Sequence, residues 1–467
     1  MQLKLHPMEI DTDDPFSNDL LHRKGEIENL SSLLANLNTP CVFAIDSEWG
    51  TGKTTFVELW SSYLKSQGVW SLTFNAWESD FSEEPLLAFL GEIDKSLAAL
   101  TESTEEITEI WRKIKYVGNK VATRGLPALL KVATAGIIDA DNLIEDELSG
   151  VVKDLAKDSI EDYQASKNAI SEFRKSLSDL ITKSGMDTPL VIFVDELDRC
   201  RPTYALLLLE RIKHMFDIPG IVFVLALDKS QLSHSIKAVY GHGFDSVRYL
   251  QRFIDFEYRL ASPSYKDFTL AMIAAFSLDE LLEPRGNYRE LQYDASHLRD
   301  TFVMLAKHLS LSLREIQQFL GRINLALRTA KYNEFIHPDL LVFLVIVRAK
   351  KQDIYRRFVS SDCDATEMIE YLREIVPSSD EDALFPKAMI EGFLIAAKAG
   401  RFSSSYEREH NRIVGDQELE PSVRKYSETV LEVVQKFTRG ISRGVDLNTL
   451  INRIELTQRF LFDSEGS

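Results

Sequence analysis

Residues 41–60, CVFAIDSEWGTGKTTFVELW, constrain the fold more than any other stretch. An apolar run of β-formers enters a loop rich in glycine and threonine and leaves as a helix carrying Phe56, Leu59, Trp60, Tyr63 and Leu64 at helical spacing. Such a loop gathers backbone N–H donors at a helix N-terminus, where the helix dipole favours an anion, phosphate above all. SEWGTGKT fits the pattern GxxxxGK[ST] at every defined position except the first, where Ser47 stands in place of glycine. The expected cradle is therefore Ser47, Glu48, Trp49, Gly50, Thr51, Gly52, Lys53, Thr54 and Thr55. Gly50 and Gly52 come nearest the phosphates, Lys53 reaches the β- and γ-phosphates, and Thr54 offers its hydroxyl to Mg²⁺. If the hinge requires positive φ, serine costs about 1 kcal/mol against glycine there, a strain the loop tolerates.

Four further strands follow from the pattern: VWSLTFNAW, PLVIFVDELDR, GIVFVLALDKS and, more weakly, FIDFEYRL. Apolar runs without clean alternation, separated by helices, predict an α/β fold with a parallel sheet covered on both faces. Residues 78–188, between the second and third strands, far exceed what a crossover needs and form a helix-rich insertion, with Gly118, Gly125, Pro127, Gly136 and Gly150 as expected breakers. Ahead of the first strand, Ile27, Leu30, Leu33 and Leu34 predict one helix face. From Tyr265 onward the patterns are helical, notably LREIQQFLGRINLALRTA. The expected division is a nucleotide-binding core over 1–262 and an all-helical lid and C-terminal domain over 263–467, in keeping with a chain of 467 residues.

A net charge of −18 excludes a surface that grips nucleic acid or anionic lipid as a whole. A local basic segment remains, RAKKQDIYRR from Arg348 to Arg357, for which a solvated helix face is the commoner explanation. Cys41, Cys200 and Cys363 lie far apart without CxxC spacing, so neither a disulfide framework nor a zinc site is indicated. The first thirty residues lack the apolar segment of a signal peptide, and a cytoplasmic location is expected. The apolar stretches Leu126–Ile138 and Leu340–Val347 are too short to span a bilayer and predict buried helices.

The third strand delivers Asp195 to its C-terminal end, where open α/β sheets bind ligands, and Asp195 there can hold Mg²⁺ through water. Glu196, next in the chain, can orient and deprotonate an attacking water. Asp198 and Arg199 are either a structural pair at a helix start or part of the site. Asp228, ending the fourth strand, is either a sensor of the γ-phosphate or a plain turn residue. Arg252 is either a surface arginine or a finger offered to the nucleotide of a neighbouring subunit, which would make the protein a homo-oligomer. Arg314 could reach the nucleotide from a lid. Phe16, Leu20, Leu21 and Arg23 are an adenine-side wall or simply core.

Taken together, WGTGKTTF, FNAW (Phe74–Trp77), VDELDRC (Val194–Cys200), FVLALD (Phe223–Asp228), YLQRFI (Tyr249–Ile254) and SLREI resemble the KAP family of P-loop NTPases over roughly the first 330 residues. The resemblance implies a three-layer α/β/α core, AAA+-like, with strand order 5-1-4-3-2. It also implies ATP as the nucleotide and a long insertion between strands 2 and 3. In many members that insertion carries transmembrane helices; here it is too short in apolar residues and too polar, so a soluble member is expected. The family includes bacterial proteins of phage exclusion and defence and eukaryotic membrane-associated scaffolds, and a chain without ankyrin-like repeats is more similar to the bacterial branch. The expected function is Mg-dependent ATP binding and hydrolysis that drives engagement of a protein partner. The alternatives are a nucleotide-dependent scaffold with little turnover and, less favoured, a nucleic-acid-associated ATPase. Glu196 favours turnover, because a pure binder has no need of a poised base.

Overall fold

A computed structural model describes residues 10–37, 39–100, 105–135, 149–185, 188–261, 264–360, 364–398, 401–438 and 446–457. One compact unit runs to Ala261, and a second begins beyond it.

The first unit contains α1 (Lys24–Ala35), β1 (Cys41–Asp46), α2 (Lys53–Ser66), β2 (Ser71–Asn75), α3 (Pro85–Leu100), α4 (Glu105–Ala135), α5 (Ser149–Lys183), β3 (Leu190–Asp195), α6 (Pro202–Met215), β4 (Ile221–Leu227), α7 (Lys229–Tyr240), α8 (Ser246–Leu250) and β5 (Phe256–Arg259). The five strands form one sheet in the order β2-β3-β4-β1-β5, which is the expected order, and every pairing is parallel. β3 and β4 are buried along their whole length, as apolar strands covered on both faces must be. Phe56 and Trp60 of α2 meet edge-on at 5.8 Å, and Trp60 reaches Phe193 of β3 at 5.3 Å. Trp60 Nε1 donates to Ser31 Oγ at 2.8 Å, so the same indole anchors α1. That helix buries Ile27, Leu30 and Leu34. Leu33, expected on the same face, is instead 51% exposed, because it sits a residue off the buried stripe.

The insertion consists of α3, α4 and α5. Ion pairs Glu106–Lys183 (2.5 Å) and Lys113–Glu172 (3.3 Å) set α4 and α5 antiparallel. Contrary to the expected breaks, α4 runs on through Gly118, Gly125 and Pro127, and Gly150 lies inside α5; Gly136 falls outside the described residues. Gly118 serves packing: a Cβ there would lie 2.4 Å from Leu90 Cδ1 and 3.4 Å from Phe173. Phe89 of α3 packs against Phe74, Phe216 and Phe223, so the base of the insertion shares the core of the sheet.

The second unit is helical: α9 (Tyr265–Ala275), α10 (Leu278–Leu282), α11 (Asp294–His308), α12 (Leu313–Arg328), α13 (Pro338–Lys350), α14 (Gln352–Val359), α15 (Thr366–Ile375), α16 (Leu384–Ala397), α17 (Arg401–Gly415), α18 (Pro421–Thr438) and α19 (Leu447–Thr457). Ser312 and Glu315 form a capping box that starts α12. Leu340–Val347 is the wholly buried middle of α13, as expected. The side chains of Leu126–Ile138 lie outside the described residues. Among the described residues, no helix is long and apolar enough to cross a membrane. In the basic segment, Arg348 pairs with Glu455 at 2.8 Å, Lys350 with Glu315, and Arg357 with Glu367 at 2.6 Å, while Lys351 lies over the Tyr371 ring. Much of its charge is thus engaged within the unit.

Glu391 of α16 is fully buried and accepts from Arg373 Nε (3.1 Å), His410 Nε2 (3.0 Å) and the Tyr426 hydroxyl. Burial alone raises a carboxyl pKa, but these donors prevail and hold Glu391 down at about 2, below its ordinary 4.5. A folded-state pKa below the unfolded one adds stability that is present above about pH 4.5 and is lost as pH falls through about 2. Glu391→Ala is expected to cost about 2–4 kcal/mol by leaving the buried His410 Nε2 and the Tyr426 hydroxyl without their acceptor, while Arg373 keeps Glu409. Urea denaturation followed across pH 2–5 checks both points: the variant should lose the acid dependence along with the stability.

Candidate nucleotide-binding site

The register brings strand ends together: Asn75 lies beside Asp195, Asp195 beside Ala226, and Asp46 beside Leu227, the residue before Asp228. These are C-terminal ends of parallel strands, the edge at which open sheets bind ligands. The loop after β1 starts with the Ser47 N–H donating to the Leu227 carbonyl at 3.2 Å. Positive φ occurs at Gly50 (77°) and Gly52 (91°) and not at Ser47, so serine at the hinge carries no left-handed strain. Its hydroxyl donates to Thr51 Oγ1 at 2.7 Å, and Thr51 in turn donates to the Glu48 carbonyl at 2.8 Å, a relay that braces the loop from within.

Lys53 opens α2 with a buried side chain whose Nζ donates to the carbonyls of Ser47 (2.5 Å) and Glu48 (2.9 Å). Burial pushes its pKa below the usual lysine value, against the pull of the carboxylates of Asp198, Asp228, Asp195 and Asp46. One ammonium thus faces a ring of acids. Asp195, 4% exposed, has its carboxyl pKa pushed up, first by burial and further by the charges of Glu196 and Asp198. A hydrogen bond from Thr54 and one from the Glu196 N–H (2.8 Å) work the other way. Thr54 and Asp195 therefore stand side by side as a hydroxyl and a carboxylate. Two hard oxygen donors fit Mg²⁺, which takes one or two protein ligands and completes its shell with phosphate and water.

Glu196 is in the left-handed region, φ 60° and ψ 24°, a conformation that costs a non-glycine residue on the order of 1 kcal/mol or more. Its side chain is 12% exposed, with Oε1 paired to Arg199 at 2.7 Å. Asn75 Nδ2 donates to Oε2 at 3.2 Å. Asp198 and Arg199 are not paired to each other: Asp198 accepts from the Trp49 indole N–H, and the Arg199 guanidinium lies over the Trp77 ring at 5.5 Å. Asn75 escaped sequence reasoning. In the sequence it stood only inside the motif FNAW at the end of β2, a place that matters once β2 is known to neighbour β3.

The other candidates are dispersed. Asp228 accepts from the Gln231 N–H at 3.1 Å as N-cap of α7, the turn role, while lying close enough to act on Lys53. Thr55 is half-buried in the first turn of α2. Arg23 is buried, bonded to Glu26 (3.0 Å) and to the Ala261 carbonyl (2.8 Å), and so ties α1 to the chain after β5. Phe16 packs on Tyr63 at 5.4 Å. Arg252 is exposed, over the Tyr249 ring at 5.8 Å. Arg314 is exposed in the first turn of α12, in the second unit.

A parallel sheet in this order, with a glycine-rich lysine loop after β1 and an Asp-Glu pair after β3, defines a P-loop NTPase. The chain belongs to the KAP family: the model of the KAP family P-loop domain matches residues 23–330. Among solved structures, that of the Aeropyrum pernix ORC2 protein, in ADPNP-ADP complexes, is similar at 13% identity and a TM-score of 0.33, over 94% of this chain and 95% of that one. No curated protein matches the chain.

Proposed function

We propose that this protein binds Mg-ATP in the loop Ser47–Thr55, hydrolyses it, and uses the cycle to engage or release a protein partner through its helical region beyond residue 263. The observation that carries this is the meeting of Lys53, Thr54, Asp195 and Glu196 at one strand edge. Gly50 and Gly52 leave the loop amides open to phosphate oxygens, and Lys53 can exchange its two carbonyl partners for the β- and γ-phosphates. Thr54 and Asp195 would hold Mg²⁺. When bound, the ion neutralises charge that develops on the phosphate oxygens. Glu196 takes the proton of the attacking water. Within this proposal Asp228 senses the γ-phosphate and Arg252 serves the site of another copy. A use in anti-phage defence rests on the family likeness alone.

The half-exposed Trp49 inside the loop gives a direct test. Saturating Mg-ATP should change the intrinsic fluorescence, because phosphate binding moves the loop that carries the indole bonded to Asp198. Trp49→Phe should remove most of that change. A spectrum unaltered by nucleotide in the wild-type protein would contradict occupancy of the loop.

A further inference from the structure

Both carboxylate oxygens of Glu196 are held by side chains that converge on the turn after β2. Oε1 takes Arg199 at 2.7 Å, and Oε2 takes Asn75 at 3.2 Å. The Arg199 guanidinium lies 5.5 Å from the centre of the Trp77 ring, and the backbone N–H of Trp77 donates to Asn75 Oδ1 at 3.0 Å. The contacts close a ring: Glu196, Arg199, Trp77, Asn75 and back to Glu196. Yet Trp77 is 48% exposed, a large solvent-facing area for an indole.

We propose that Trp77, acting through Arg199, is a positioning residue for the catalytic carboxylate. Glu196 sits in a backbone conformation that side-chain-bearing residues rarely adopt, so the direction of its carboxylate depends on what grips it. Arginine is long and part-exposed, with many rotamers open to it. An aromatic face under the planar guanidinium confines it to the orientation that meets Oε1. Without the indole, Arg199 is free to turn to solvent, and Glu196 retains Asn75 alone. The Asp198 carboxylate does not compensate, because it is bonded to Trp49.

The proposal rests on the ATPase function argued above, and the two fail differently. The full chain is assayed for Mg-ATP-dependent phosphate release as wild type, Glu196→Gln, Trp77→Ala, Trp77→Phe, Arg199→Ala and the Trp77→Ala/Arg199→Ala double variant, with thermal midpoint and nucleotide affinity measured for each. Trp77→Ala should lower kcat by roughly tenfold with KM little changed, as misaiming a reacting group does. Trp77→Phe should restore most of the rate, since a smaller aromatic face still carries the guanidinium. The double variant should be no slower than Arg199→Ala, because both substitutions break one linkage. Multiplying losses, a change confined to KM, a Phe variant as slow as the Ala variant, or a Trp77→Ala rate equal to wild type would each overturn the positioning role while leaving the ATPase standing. A wild-type rate indistinguishable from Glu196→Gln would remove both.

Discussion

Glu196→Gln is expected to lower the steady-state rate of phosphate release from Mg-ATP by about 10²–10⁴-fold, with nucleotide affinity nearly unchanged. Glutamine preserves the shape and can still meet Arg199 and Asn75 with its carbonyl and amide, but it cannot accept a proton from water. The groups proposed to hold phosphate, Lys53 and the loop around Gly50 and Gly52, are untouched by the change. Rate and affinity therefore separate, which is the signature of an interaction made only in the transition state. A coupled phosphate-release assay with a parallel nucleotide titration checks it. Equal rates in variant and wild type would leave a nucleotide-dependent scaffold as the function.

Lys53→Ala is expected to raise the dissociation constant for Mg-ATP by 10- to 100-fold or more, at about 1.5–3 kcal/mol for each lost charge-assisted hydrogen bond to phosphate. The substitution also removes the cation that faces Asp46, Asp195, Asp198 and Asp228. These carboxylates would then repel one another and a triphosphate alike, so the loss should be larger than that of one contact. Lys53→Arg should not rescue it, because the buried ammonium fits between the carbonyls of Ser47 and Glu48 and a planar guanidinium is bulkier. Calorimetric titration with Mg-ATP reads the effect directly. A wild-type affinity in the alanine variant would mean that nucleotide binds elsewhere.

The sheet was legible because its inner strands β1, β3 and β4 are buried on both faces and read as unbroken apolar runs, whereas the exposed edge strand β5 gave the weaker signal, and the order followed from a family whose motifs lie at each strand end. The outer shape of the insertion was not. Gly118, Gly125 and Pro127 look like breakers, and glycine in a helix does cost stability, but close packing against Leu90 and Phe173 requires Gly118 to have no Cβ. Tertiary contact overrides propensity there. At the site, Lys53, Thr54, Asp195 and Glu196 could be picked out because each stands at a fixed offset from a strand or a helix start. Asn75 could not be assigned a role, and the two alternatives for Asp198 and Arg199 stayed open, because the Asn75–Glu196, Trp49–Asp198 and Trp77–Arg199 contacts run between segments more than a hundred residues apart. Ser47 raised a concern about strain that the backbone resolves by placing positive φ two glycines further on.

The shared packing at the foot of the α4–α5 hairpin limits how far such an insertion is interchangeable. Phe89, Ile114, Val117 and Phe173 occupy the same apolar cluster as Phe74, Val194 and Phe223, so the hairpin is no detachable appendage down to its base. A graft from a relative would have to be spliced outward of Ala122 on one arm and of Ala169 on the other. Cutting closer would hollow out the support of β2 and β3, and Asn75 and Asp195 would lose their footing together.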